Sequence, residues 1–132
     1  MPIAFRSLTI PAFLVLSLVP AQAASHRSDK ALDRLEPMTR MMEVCGIKAG
    51  EALRREPAYK TVNRVVVDAM DMPEIENHVV TGSGGAVRDK GRWYQLQFAC
   101  TLTEDDRSAV SVTYTVGNEI PEEQWEEFGL WK

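Results

Sequence analysis

The sequence predicts an α+β domain: an N-terminal helix or helix pair packed on a small antiparallel sheet of three to five strands, a short C-terminal helix, and one disulfide. Three observations carry this expectation. Apolar residues recur at spacings of three and four from Met38 to Leu53. Two runs flanking "TEDDRS" alternate apolar and polar with period two. Only two cysteines occur, Cys45 and Cys100, one in each pattern.

The 132 residues suffice for a single domain, and the first stretch is expected to be removed from it. "MPIAFRSLTIPAFLVLSLVPAQAASHR" offers one cation, Arg6, an apolar run from Leu8 to Val19, and the small-residue triplet Ala21-Gln22-Ala23. That order is a secretory signal, residues 1–23, cut between Ala23 and Ala24. The apolar run falls short of the roughly 20 residues a spanning helix needs, so no integral membrane segment is expected after cleavage. Loss of Arg6 takes the net charge from -4 to -5, which gives no electrostatic case for nucleic acid. A polar stretch, 24–34, reads as a flexible tail before a single domain over 35–132.

The helix follows. Met38, Met41, Met42, Cys45, Ala49, Ala52 and Leu53 define one face, Pro37 suits the first turn, and Pro57 bars continuation. Gly46 sits mid-run, where it either divides the helix in two or merely weakens it. "RVVVDAM", 64–70, reads as a strand. The stretch "DMPEIENHVVTGSGGAVRDKG" reads as irregular, with short strands at 78–81 and 86–88, a glycine-rich flexible connection between them, and a turn at Asp89-Lys90-Gly91.

The hairpin is the clearest element. Tyr94, Leu96, Phe98, Cys100 and Leu102 alternate with Trp93, Gln95, Gln97, Ala99 and Thr101. Val110, Val112, Tyr114 and Val116 alternate in the same way with Ser111, Thr113 and Thr115. A register with Cys100 opposite Val112 and Phe98 opposite Tyr114 keeps the apolar set on one face. In an oxidising compartment a distant cysteine pair reads as a disulfide, so Cys45 and Cys100 are expected to tie the helix to this strand. At the end, "GNEIPEEQWEEFGLWK" reads as a short helix: Pro121 at the first position, Glu122 and Glu123 in the first turn, and Gly129 past the stop. Trp125 and Leu130 are spaced for the hydrophobic contact of a Schellman ending.

The strings "TRMMEVCGIKA", "NRVVVDA", "GRWYQLQFACT" and "GNEIPEEQWEEFGLW" together resemble the family called domain of unknown function 930, small exported alphaproteobacterial proteins, over about residues 32 to 131. The resemblance implies a periplasmic or secreted bacterial protein with a paired-cysteine framework, and it implies no activity.

No catalytic constellation emerges, no cofactor is expected, and no metal site is assigned. Glu74, Glu76 and His78 alternate in one short segment with no second histidine beside them, which reads as a solvated acidic loop. Glu122 and Glu126 lie on one helix and cannot flank a glycosidic bond across a cleft. The preferred ligand surface is the outer face of the hairpin, where Trp93, Gln95, Gln97 and Thr113 set one aromatic on a plane of uncharged hydrogen-bonding groups. The competing reading is that the terminal helix covers this face and turns Trp93 into core. The function expected is a non-enzymatic binding module of the bacterial envelope, its partner an envelope protein or a glycan. The alternative is a secreted inhibitor of a hydrolase such as a lysozyme.

Overall fold

A computed structural model describes residues 29–132. The signal segment and its Ala23–Ala24 junction lie outside the described residues. One helix, α1 (Pro37–Arg54), packs on one face of a five-stranded antiparallel sheet. The strands are β1 (Val62–Val66), β2 (Glu74–Glu76), β3 (Val79–Asp89), β4 (Arg92–Leu102) and β5 (Ala109–Glu119). Their order is β1-β3-β4-β5, with β2 lying end to end with β1 along the same edge of β3.

Helix α1 runs unbroken through Gly46. Its start is fixed by Glu36, whose carboxylate accepts from the backbone N–H of Met38 at 3.3 Å and of Thr39 at 3.2 Å. Those hydrogen bonds satisfy orphan donors of the first turn and hold the Glu36 carboxyl below its ordinary range. The buried face is Val44, Cys45, Ala49, Gly50 and Leu53. Met38 stays exposed and Met41 and Met42 are half-buried, so the face is turned slightly from the methionine stripe. The described part of the expected tail, 29–34, begins with a helical turn; Leu32 packs against the core, and Asp33 pairs with Arg107.

Cys45 and Cys100 form the disulfide, Cα to Cα 5.8 Å, and both are fully buried. The hairpin register places Phe98 opposite Tyr114 and Cys100 opposite Val112. Between helix and sheet lie two adjoining apolar clusters. One gathers Val44, Cys45, Val67, Val80, Phe98, Cys100 and Leu102. The other joins Leu53, Val62, Val87 and Leu96.

Two expectations need correction. The glycine-rich stretch is no connection between separate strands: residues 79–89 form the single strand β3, whose pairing with β4 shifts between Gly82 and Gly85. At that bulge the segment joining β1 to β2 approaches the strand closely, because a Cβ on Gly84 would lie 2.4 Å from the backbone N of Asp71. The C-terminal helix is a single 3-10 turn, Glu122–Gln124. It nonetheless ends as expected: Leu130 N–H donates to Trp125 O at 2.8 Å, Gly129 N–H to Glu126 O at 3.2 Å, and Gly129 has φ of 63°.

Candidate functional site

The sheet face turned away from α1 divides into two halves. At one end the C-terminal segment folds over it. Trp93 is fully buried there with Ala86, Ile120, Trp125 and Leu130, and Val66, Ala69, Met70 and Phe128 pack around them. The chain is pinned by Ile120 N–H donating to Trp93 O at 2.8 Å. Both buried indoles are satisfied: Trp93 Nε1 donates to Trp131 O at 2.8 Å, and Trp125 Nε1 to Ile120 O at 2.8 Å. Trp93 is therefore core. The expectation that it presents a stacking platform is corrected, for a physical reason: an indole on an otherwise polar face is the largest apolar surface there, and the apolar side of the tail covers it.

At the other end the face is open. A groove of about 560 Å³ runs across β3, β4 and β5, with Gln97, Ala99, Thr81, Thr113 and Thr115 at its floor. The register explains the grouping, since Gln97 opposes Thr115, Ala99 opposes Thr113, and Thr81 opposes Ala99 on the third strand. Gln97 and Thr113 are exposed here, so two of the four residues expected to form a ligand surface do meet in one site. Gln95 is exposed too, but lies between the groove and the covered end, against Gly117.

One wall comes from the segment that joins β1 to β2 and packs against Gly84 of β3. Asp71, Met72 and Glu74 line the groove beside Ser83 and Gly82. The wall is held rigidly: Met70 N–H donates to Gly84 O at 2.8 Å, and the Asp71 carboxylate accepts from Met72 N–H at 2.9 Å. Gly82 leaves room for the Phe98 ring, which a Cβ there would approach to 2.8 Å. The sequence reading missed these acids as part of the site and left them in a solvated loop. The available signal was the glycine run, which marks a close backbone approach.

His78, weighed with Glu74 and Glu76, points elsewhere. It adopts φ of 63° after Asn77 at 50°, and its Nδ1 lies 2.7 Å from Asp106 Oδ1 in the β4–β5 loop. The hydrogen bond to Asp106, and then its charge, raise the imidazole above its ordinary value. Among the described residues no group of three or more His, Cys, Asp or Glu is placed to hold a metal ion. Glu122 pairs with Lys132 at 2.6 Å.

A second groove, about 390 Å³, runs between α1 and β1 and ends at Trp131. Trp131 is half-exposed, with the guanidinium groups of Arg64 and Arg88 each 5.5 Å from its ring centroid. These cations hold the ring that caps Trp93, itself 5.5 Å away edge-on. The polar groove offers hydrogen bonding from Gln97, Thr81, Thr113 and Thr115 and negative charge from Asp71 and Glu74.

No helix among the described residues is long and apolar enough to cross a membrane. Comparison with curated proteins and with solved structures finds no match. The family model described as Domain of Unknown Function (DUF930) matches residues 32–130, which takes in α1, all five strands, both cysteines and Trp93. The chain belongs to the DUF930 family.

Proposed function

We propose that the protein is an exported, non-enzymatic binding module, periplasmic or secreted, whose groove takes an extended segment of an envelope protein carrying a basic side chain. The observation that supports this reading is the division of the outer face. With Trp93 buried, the open half retains uncharged hydrogen-bonding groups but no exposed indole on which a sugar could stack. An extended backbone can bond to Gln97, Thr81, Thr113 and Thr115, while Asp71 and Glu74 attract a cation at the rim. Export is supported by the order of Arg6, the apolar run and Ala21-Gln22-Ala23.

The test is capture from a solubilised envelope fraction. Wild type is compared with Gln97→Ala/Thr113→Ala and with Asp71→Asn/Glu74→Gln, beside parallel sedimentation with cell-wall polysaccharide. A protein held by the wild type, lost by both variants and released by salt supports the reading. Binding to polysaccharide instead overturns the protein partner. A mature mass that begins at Ala24 supports export, and intact Met1 in the product counts against it.

The hydrolase-inhibitor reading is favoured by one observation. The acidic segment Asp71 to Glu76 is rigid, with Met72 60% exposed at its tip. Such an inhibitor would form a stoichiometric complex with a cationic hydrolase, lost in Asp71→Asn/Glu74→Gln and kept in Gln97→Ala.

A further inference from the structure

Edge strands are ordinarily guarded by charge, proline or cover, because their unpaired backbone groups template further pairing. Strand β5 has neither charge nor proline along its middle. It is 11 residues long and lies at the edge of the sheet. From Ala109 to Asn118 it contains no charged residue and no proline. Among the described residues no strand pairs with its outer side. Ser111, Thr113 and Thr115 are exposed, and Val110 is 57% exposed. The pairing with β4 is continuous from Ser111 to Val116 and shifts only beyond each end of that stretch. The exposed edge is therefore a regular ladder of about six residues, with a bulge at either end to limit it.

The sequence of this edge is nearly symmetric about Thr113. "VSVTYTV", Val110 to Val116, reads similarly in both directions. A two-fold interface requires such self-complementarity, since the same patch serves both copies. We infer that β5 pairs antiparallel with β5 of a second copy about an axis through Thr113, joining the two sheets into one. In this register Thr113 opposes itself, Val112 opposes Tyr114, and Ser111 opposes Thr115. Hydroxyls meet hydroxyls on the outer face and apolar groups meet on the helix face, so no residue changes environment class. A second copy fits this edge better than an unrelated strand, because the pairing pattern is written into the edge itself. Thr113 and Thr115 also floor the polar groove, so the two grooves abut across the axis.

The test uses the mature chain, 24–132, without ligand, by sedimentation velocity over a concentration series. Wild type is expected to show a reversible monomer–dimer equilibrium. Thr113→Lys and Thr113→Glu each set like charges face to face at the axis, so each alone is expected to remain monomeric where the wild type is mostly dimer. An equimolar mixture of the two is expected to recover the dimer, as only an axis through Thr113 brings the opposite charges together. Circular dichroism with an unchanged thermal midpoint confirms that both variants fold; the recovered mixed dimer shows the same if the midpoint falls. A wild type that stays monomeric up to about 1 mM, a dimer indifferent to both substitutions, or a mixture that stays monomeric would each overturn the inference.

Discussion

Trp93 and Gln97 stand four residues apart on one strand and point from the same face of the sheet, yet one is sealed and the other open. Around Trp93, β3 contributes Ala86, a small residue that admits the indole, and the tail brings Ile120, Trp125 and Leu130 onto it. Around Gln97, β3 contributes the Gly82–Gly85 bulge and β5 contributes threonines, and no residue of the tail lines the groove. A single alternating strand can thus serve two purposes. Whether a residue becomes core or surface depends on what its neighbouring strands set beside it, and the face it points from does not decide.

The difference can be broken from either end. Trp93→Ala leaves a cavity under the tail and is expected to cost about 3–5 kcal/mol, read as a lower denaturant midpoint, whereas Gln97→Ala should stay within about 0.5 kcal/mol. Equal costs at the two sites would erase the distinction. Both halves rest on a strand held to α1 by the disulfide, which closes a loop of 55 positions. Replacing both cysteines by serine should lower stability by up to about 4 kcal/mol in the chain-entropy model. The Gly84 position sharpens the open half: Gly84→Ala drives a methyl into the Asp71 backbone and is expected to cost about 1–3 kcal/mol, with the Asp71 wall displaced. Amide chemical shifts at Asp71, Met72 and Glu74 should move while those at Trp125 and Leu130 stay put.

The smallest effect concerns the other side of the groove strand. Tyr114 faces the helix side, where its hydroxyl donates to the Glu56 carboxylate. Burial first, and then this hydrogen bond, push its phenol from 10.0 up to about 12. The unfolded chain ionises first, so the stabilising contribution is complete below pH 10 and is lost as pH rises toward about 12. An ultraviolet phenolate titration should show one of the three tyrosines ionising well after the others, with Glu56→Gln bringing it earlier.

Much of this was legible from the residues. The hairpin register is one of those that two period-two runs allow with Cys100 and Phe98 on one face, and the Trp125–Leu130 ending is the one expected if Gly129 follows a C-cap at Phe128. The continuity of α1 through Gly46 was open in the sequence, because one glycine weakens a helix without dictating the outcome. The β3 bulge was hidden, since "GSGG" is equally suited to a loop and to a strand closely approached by another backbone. Half of the candidate site was readable: alternation placed Gln97 and Thr113 together. It also placed Trp93 with them, and only the tertiary path of Ile120 to Trp131 decides that the indole is covered.

That covering is open to direct measurement. With Trp125→Phe and Trp131→Phe, Trp93 is the only tryptophan left, and its emission and acrylamide quenching report its surroundings alone. Blue-shifted emission that resists quenching, turning red-shifted and quenchable when residues 120–132 are removed, is the result expected of an indole sealed by the tail. Red-shifted, freely quenched emission from the full-length variant at a temperature where circular dichroism shows it folded would contradict the division of the face, and would return Trp93 to the ligand surface.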